Sequence, residues 1–226
     1  MNWEAIFLTF RLALLTSMAL LVLGLPIAYW LAFSRWRWKF LVESVVALPL
    51  VLPPTVLGFY VLVALGPNSP VGAFFKDLFG IQFPFTFHGL LIASILYSFP
   101  FAVQPCVAGF QAVDWRAVEA AEMAGASRLQ AFVHMVVPLA AGGVTSGVVM
   151  SFAHTLGEFG VVLMVGGNLP GITRTASIDI YDKVQTLDYT GAAQTSLFLL
   201  VVSYGLLATV YGLNRGALKV VPRRAS

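Results

Sequence analysis

The chain has 226 residues, of which 59% are hydrophobic and 10% are charged. Soluble globular domains carry about 25% charged residues, and a soluble domain of this length has too little interior for so much apolar surface. The composition therefore excludes an ordinary soluble protein and predicts a protein that crosses a lipid membrane several times. The formal net charge of +3 comes from basic residues scattered over short loops, which argues against nucleic acid as a partner.

Five stretches reach the roughly 20 mostly apolar residues that a spanning helix needs. In chain order they are residues 12–33, 45–65, 89–109, 139–165 and 196–213. We therefore predict an all-α integral membrane protein with one transmembrane domain, residues 1–226, and about five transmembrane helices. The first stretch is too long for the apolar part of a cleavable signal peptide and lacks a basic segment before it, so we expect it to be retained.

The second stretch contains Pro49, Pro53 and Pro54. Proline frees backbone carbonyl groups that lipid cannot satisfy, so we expect this broken helix to line protein or a cavity, with Thr55 as a pathway hydroxyl. The equally weighted alternative is a kinked helix that only packs against its neighbours. Ser98 in the third stretch is a further candidate for the pathway.

The fourth stretch carries His154 and Glu158, which would share one face of a continuous helix. Ser151 and Thr155 extend this polar stripe. Ionisable groups in a membrane usually face a bundle interior or a watery cavity, which favours a translocation path, a gate or a subunit interface. The alternative is an internally satisfied His–Glu pair that only packs helices. One cysteine and three histidines do not predict a metal site.

Two further loops are long enough to hold structure of their own. Residues 66–87 contain an apolar segment that predicts a short surface helix. In residues 168–195, Ile178, Tyr181 and Val184 recur at helical spacing, which predicts an amphipathic helix on the surface or a dip into the protein.

The distribution of basic residues predicts the orientation, because cytoplasmic flanks are enriched in lysine and arginine. One set of flanks holds nine of them: Arg35, Arg37, Lys39, Arg116, Arg128, Arg215, Lys219, Arg223 and Arg224. The other set holds four: Arg11, Lys76, Arg174 and Lys183. We therefore place the N-terminus outside, and the C-terminus and the polar interval 114–138 in the cytoplasm.

The sequence lacks the H-E-x-x-H zinc signature, the G-x-x-x-x-G-K-[ST] phosphate loop and the G-x-S-x-G nucleophile elbow. We therefore expect no catalytic residue and no cofactor bound directly by this chain, which assigns any ATP chemistry to a partner. A membrane enzyme that uses His154 and Glu158, and an assembly protein without a transport role, are the competing hypotheses.

The polar interval 114–138 concentrates charge in a sequence that has little elsewhere. Residues 113–123 are rich in alanine and glutamate, which predicts a short helix, and Gly125 is placed to stop it. Pro138 opens the next apolar run, where proline is favoured in the first turn of a helix. The interval is either a solvated loop or a short helix that docks on a partner.

This interval resembles the signature loop of ABC-importer permeases, in which E-A-A is followed by three residues, G, nine residues and I-x-L-P. The matching residues are Glu119, Ala120, Ala121, Gly125 and Pro138, with Met135 and Val137 at the Ile and Leu positions. The segments A-L-P-L-V-L-P-P-T-V-L-G-F, L-G-E-F-G and G-G-N-L-P-G-I-T-R-T-A-S-I-D-I-Y-D look like those of molybdate-transport permeases. Sulfate permeases share the E-F-G region more loosely.

The resemblance implies the type I ABC importer permease fold, a multi-pass location in the cell inner membrane and import of molybdate, or tungstate, by alternating access. Sulfate or thiosulfate is the alternative substrate. The implied partners are a second permease subunit in a homodimer, two cytoplasmic P-loop ATPase subunits that hold ATP and Mg, an extracytoplasmic oxyanion-binding protein, and membrane lipid.

The predicted residues of ATPase coupling are Arg116, Glu119, Ala120, Ala121, Met123, Gly125 and Ala126. The predicted residues of the path or gate are Thr55, Ser98, Ser151, His154, Thr155 and Glu158. A carboxyl group is unexpected in an anion path. Glu158 would therefore seal the outer gate, carry a proton, or pair with His154 or Arg174.

Overall fold

The computed structural model describes residues 1–218. Residues 219–226, which include Lys219, Arg223 and Arg224 of the charge count, lie outside the described residues. The described part is helical and contains no strand. Its α-helices are α1 Trp3–Phe33, α2 Lys39–Val51, α3 Pro54–Leu65, α4 Pro70–Phe79, α5 Phe87–Gln111, α6 Trp115–Met123, α7 Arg128–Ala131, α8 Val137–Gly157, α9 Gly160–Gly166, α10 Ala176–Gln185 and α11 Tyr189–Leu218. A π-helix, Phe132–Val136, joins α7 to α8.

Four stretches of helix are long and apolar enough to cross a membrane. They are Trp3–Phe33, Phe87–Gln111, Leu129–Gly157 and Tyr189–Thr209. The pair α2 and α3 makes a fifth if it is counted as one broken span. The prediction of an all-α membrane protein with about five transmembrane helices is therefore confirmed.

The break between α2 and α3 is larger than a kink, because the two helices meet at an angle of 112°. Leu52 and Pro53 are both extended, with ψ of 135° and 136°. A residue before proline is sterically biased towards this extended backbone, and two successive prolines apply the bias twice. Pro54 then starts α3, where its missing N–H costs nothing.

The helices begin before the predicted spans, and the difference is largest for the first and the fourth. The first begins at Trp3 rather than at residue 12, because the Asn2 side chain caps it by accepting a hydrogen bond of 3.2 Å from the Ala5 N–H. The fourth begins at Leu129 rather than at residue 139, since α7 and the π-helix run into α8. Nearly half of the predicted loop 114–138 is therefore an extension of a spanning helix.

The fourth predicted span, residues 139–165, is also interrupted. α8 ends at Gly157, Glu158 and Phe159 leave the helical conformation, and α9 begins at Gly160. The i, i+4 relation expected between His154 and Glu158 is lost, because it requires a helix that continues through both residues.

α5 lies at the centre of the bundle and packs against α1 and α8. Glycines allow the close approach of α5 and α8, since a Cβ added to Gly143 would lie 2.6 Å from the Cα of Gly109. Cys106 is buried in this packing, as expected for a small core residue.

The two ends of the bundle carry different short helices. Asn2 at the start of α1 donates a hydrogen bond to Asp179 of α10, so α10 lies at the end predicted to be outside. Leu31 at the other end of α1 clusters with Val113 and Val118, which places α6 at the end predicted to be cytoplasmic. We call these the outer and inner ends.

The stripe predicted for α10 is not its buried face. Ile178 is buried, but Tyr181 and Val184 are exposed, while Asp179 is 3% exposed. Asp179 is tolerated inside because the Lys183 ammonium lies 2.7 Å from its carboxylate and Asn2 donates a second hydrogen bond to it. At the inner end, Lys39 and Glu43 form an ion pair at 3.2 Å.

Candidate functional site

The inner site is built on α6, a helix of nine residues with a defined cap at each end. The Asp114 carboxylate accepts a hydrogen bond of 3.0 Å from the Arg116 N–H at its start. At its end, the Gly125 N–H donates to the carbonyl of Glu122, and the Ala126 N–H donates to that of Ala121, both at 3.0 Å. These two bonds are the Schellman motif, which requires a left-handed residue after the helix. Gly125 supplies it, with φ of +96°.

A second capping device follows at once. The Ser127 N–H donates to the Gln130 side chain at 2.9 Å, and the Gln130 N–H donates to the Ser127 hydroxyl at 3.3 Å. This reciprocal pair is a capping box, which starts the helix that continues into α8. We did not predict this box from the sequence, although S-R-L-Q carries its S-x-x-Q signature.

One face of α6 anchors it, and most of its other described side chains are exposed. Val118 is 3% exposed and packs in an apolar cluster with Val113 and Val136. Of the predicted coupling residues, Arg116, Glu119, Ala120, Met123 and Gly125 are exposed, and Ala121 and Ala126 are half-buried. Among the described side chains, neither Arg116 nor Glu119 has an ion-pair partner. The structure thus presents a short, rigid, mixed apolar and charged surface at the inner end.

The outer site is a cavity of about 610 Å³ where the two broken helices meet. It is lined by Pro54, Thr55, Tyr97, Ala153, His154, Gly157, Glu158, Phe159 and Gly160. Of the predicted pathway residues, it brings together Thr55, His154 and Glu158. Tyr97, which was not among the predicted residues, lies beside His154, with ring centroids 4.8 Å apart.

The other three predicted residues lie buried behind this cavity and are hydrogen-bonded. The Thr155 hydroxyl donates to the Ser151 carbonyl at 2.9 Å. Ser98 lies 2.9 Å from both Thr155 Oγ1 and His154 Nδ1. Since the Thr155 proton is already used, Ser98 donates to Thr155 and must accept from His154. This order assigns the proton of a neutral imidazole to Nδ1 and leaves Nε2 as an acceptor.

The His154 ring is also fixed by stacking on Phe101, with centroids 3.9 Å apart. Ser98 and Thr155 therefore form the hydrogen-bond chain to the histidine, whereas the Ser151 hydroxyl donates to the Val148 carbonyl at 3.0 Å. None of these three hydroxyls is without a hydrogen-bond partner.

Glu158 pairs with neither expected partner. The His154 Nδ1 atom is bonded to Ser98, and Arg174 bonds to Asn168 at 2.6 Å and to Asp182 at 3.6 Å. Glu158 is 4% exposed, and neither of its carboxylate oxygens has a hydrogen-bond partner among the described residues. The internally satisfied His–Glu pair is therefore not formed.

The two sites together define the class of protein: a polytopic membrane protein with a short, capped and exposed helix at one end and a cavity between broken helices at the other. The sequence profile of the family described as "Binding-protein-dependent transport system inner membrane component" matches residues 24–219. The chain belongs to this family and is a multi-pass protein of the inner membrane.

Two individual relatives and one solved structure are also similar to this chain. The chain is 47% identical over 211 residues, 93% of each chain, to the molybdenum transport system permease protein ModB of Azotobacter vinelandii. It is 31% identical over 195 residues to the probable sulfate transport system permease protein cysT of Prototheca wickerhamii, covering 86% of this chain and 76% of the relative. A crystal structure of a bacterial alginate ABC transporter with its periplasmic protein superposes with a TM-score of 0.74 at 18% identity, covering 95% of this chain and 78% of that one. The predicted type I ABC importer fold is thus confirmed.

Proposed function

We propose that this chain is the permease subunit of an ATP-driven importer that moves molybdate into the cytoplasm by alternating access. The observation that carries the proposal is the doubly capped, exposed α6 at the inner end, which bears the E-A-A-x-x-x-G motif. The 47% identity to a molybdenum permease, against 31% to a sulfate permease, supports molybdate over sulfate as the substrate.

The proposed assembly contains two copies of this chain, two cytoplasmic ATPase subunits that bind ATP and Mg, and an extracytoplasmic protein that delivers the oxyanion. α6 enters a groove of the ATPase through its exposed residues Arg116, Glu119, Ala120 and Met123. Gly125, with Ala121 and Ala126, keeps the helix short and closed at its end. An assembly with a separate binding protein agrees with the family description, which names a binding-protein-dependent system.

The chain connects the two sites mechanically. From Leu129 to Gly157 the helix is continuous over 29 residues, which is about 43 Å at 1.5 Å per residue. Its inner end follows α6 after a four-residue turn, and its outer end supplies His154 to the cavity. A displacement of α6 driven by ATPase closure therefore moves one wall of the cavity as part of a rigid body, as alternating access requires.

Molybdate is a tetrahedral dianion without hydrogen-bond donors of its own, so its path needs hydroxyl and N–H groups. Thr55 lies at the N-terminus of α3, where the backbone N–H groups and the helix dipole favour an anion. We assign Thr55 and His154 to the wall of the path, Ser98 and Thr155 to positioning of His154, and Ser151 to packing of α8 against α1.

The proposal is tested by reconstituting the permease with its ATPase and binding protein in liposomes. Molybdate-loaded binding protein is expected to stimulate ATP hydrolysis and uptake of labelled molybdate, with a 2:2 ratio of permease to ATPase by native mass spectrometry. Sulfate in tenfold excess should leave uptake nearly unchanged. Uptake that proceeds without the ATPase, or that sulfate abolishes, would contradict the import mechanism or the substrate, respectively.

A further inference from the structure

One face of α5 carries a stripe of side chains that the bundle does not cover. Its members recur three or four residues apart, which places them on one side of the helix; they are Tyr97, Phe101, Gln104, Ala108 and Gln111. The last three are exposed and the two aromatic residues are half-buried. The buried side chains of α5 lie on its other faces, where it packs against α1 and α8. We call this open face the α5 stripe.

The two ends of the α5 stripe line different cavities. Tyr97 belongs to the outer cavity described above. Gln104 and Gln111 line a second cavity of about 380 Å³ towards the inner end, to which α2 contributes Glu43. Phe101 lies about one helical turn from Tyr97 and from Gln104, and it lines neither cavity. The outer and inner cavities therefore follow one another along a single helix face, with an aromatic ring between them.

The depth of Gln104 argues against a side chain that simply faces lipid. Gln104 lies about 10 Å before the inner end of α5, at 1.5 Å per residue. Within the described part of the chain, no hydrogen bond uses its side-chain amide or that of Gln111. An unpaired polar group in hydrocarbon costs free energy, and polar residues of spanning helices usually face a bundle interior or a watery cavity. The exposed amide of Gln104 therefore requires water and solutes in the inner cavity.

The charge at the inner cavity is balanced. The carboxylate of Glu43 lies 3.2 Å from the Lys39 ammonium, which also donates a hydrogen bond of 3.0 Å to the Leu31 carbonyl. Among the described residues, the remaining polar side chains of the cavity wall are the amides of Gln104 and Gln111. Each amide offers two N–H donors. Such donors bind the oxygens of an oxyanion, and they lack the full positive charge that would hold a dianion too tightly for release.

We propose that the inner cavity is the cytoplasmic half of the translocation path, and that Gln104 and Gln111 donate hydrogen bonds to the passing oxyanion. The Phe101 ring separates this half from the outer cavity, whose wall contains Thr55 and His154. The inference rests on the proposed import function for the identity of the solute. The access of water and anions to the two amides is a property of this chain, and it is measured without transport.

The first test is thiol accessibility in the assembled transporter, permease with ATPase subunits, in inside-out membrane vesicles without nucleotide. Gln104→Cys is combined with Cys106→Ala, which removes the only natural cysteine of this chain. A negatively charged, membrane-impermeant methanethiosulfonate reagent should modify it about tenfold faster than Val201→Cys in the same background, because a thiol ionises in water and not in hydrocarbon. Val201 is the matched control, since it is an exposed apolar residue within a spanning helix, α11.

The second test is molybdate uptake in liposomes. Gln104→Leu should lower uptake about tenfold, as expected for the loss of a hydrogen bond to a charged group, with the amount of co-purified ATPase unchanged. Gln194→Leu, which removes an exposed amide of α11, should leave uptake as it is.

If Gln104→Cys does not assemble, Gln111→Cys at the end of α5 is labelled instead, with the same expectation. Labelling as slow as that of Val201→Cys, which a lipid-facing position or a tightly packed contact with a second copy would give, overturns the proposal. Normal uptake by Gln104→Leu overturns the role of its amide. Labelling requires neither molybdate nor ATP, so a failure of this inference is distinguishable from a failure of the proposed import function.

Discussion

Substitution of Gly125 is the most direct test of the coupling helix, because backbone conformation alone explains why this residue is a glycine. Its φ is +96°, and a Cβ added there would meet no atom within 4 Å. A substitution is therefore penalised by backbone conformation alone and not by a clash. We predict that uptake falls in the order Gly125 wild type, Gly125→Asn, Gly125→Ala, Gly125→Pro.

The magnitudes follow from the Schellman geometry. Alanine in a left-handed conformation costs about 1–2 kcal/mol, whereas asparagine visits this region more readily. Proline fixes φ near −65° and removes the N–H that donates to Glu122, so it costs about 3 kcal/mol or more. An isolated helix of nine residues is marginal, and about 1.4 kcal/mol changes an equilibrium tenfold. Gly125→Ala should therefore lower the population of the capped helix severalfold, and Gly125→Pro should abolish it.

The assay is ATP hydrolysis and molybdate uptake in liposomes that contain the permease, the ATPase and the binding protein. Gly80→Ala is the matched control, since Gly80 has φ of +66°, no atom within 4 Å of an added Cβ, and a place at the outer end after α4. It carries the same backbone penalty away from the ATPase and should leave coupling intact. Full uptake by Gly125→Pro, or equal losses in Gly80→Ala and Gly125→Ala, would refute the reasoning.

Three further outcomes are expected. Ser127→Ala removes the capping box at a cost of about 1 kcal/mol. Hydrogen exchange of the amides in residues 128–131 should therefore become faster, while exchange in α1 should not change. Gly143→Ala forces α5 and α8 apart and should cost about 1–3 kcal/mol, seen as a melting temperature several degrees lower. Asp179→Ala breaks a buried ion pair and should lower the free energy of unfolding by about 3 kcal/mol. Asp182→Ala breaks a partly exposed ion pair and should lower it by less than about 1 kcal/mol. Equal melting temperatures for these two variants would contradict the assignment.

The apolar runs predicted the spanning helices because lipid leaves the backbone few alternatives to a helix. The E-A-A-x-x-x-G spacing likewise predicted α6 and its stop, since a Schellman cap is a local interaction that its own residues encode. The break at Glu158 was not predicted, because L-G-E-F-G has no proline. Its helix ends through tertiary contacts, among them the hydrogen bond that the Ser177 hydroxyl of α10 donates to the Glu158 carbonyl.

For the same reason, the partners that we predicted for Glu158 from the sequence, His154 and Arg174, were wrong. Spacing along a helix is a local rule and paired it with His154, but the imidazole is bound by Ser98, which is 56 residues away in the chain. Likewise, the buried Asp179 is bound by Lys183 of its own helix and also by Asn2, which is 177 residues away. Polar groups inside a bundle take partners from neighbouring helices, and the pattern of one helix does not contain that information.

The two breaks in the fold lie next to each other, because the helix that follows each break packs against the other. α3 packs against α9, and a Cβ added to Gly160 would lie 2.7 Å from the Cβ of Pro54. A Cβ added to Gly58 would likewise lie 2.7 Å from the Cβ of Met164. Such contacts leave no room for the two short helices to slide independently. α3 and α9 therefore form one packed unit, and Pro54, Thr55 and Gly160 of this unit line the outer cavity together with residues of α5 and α8.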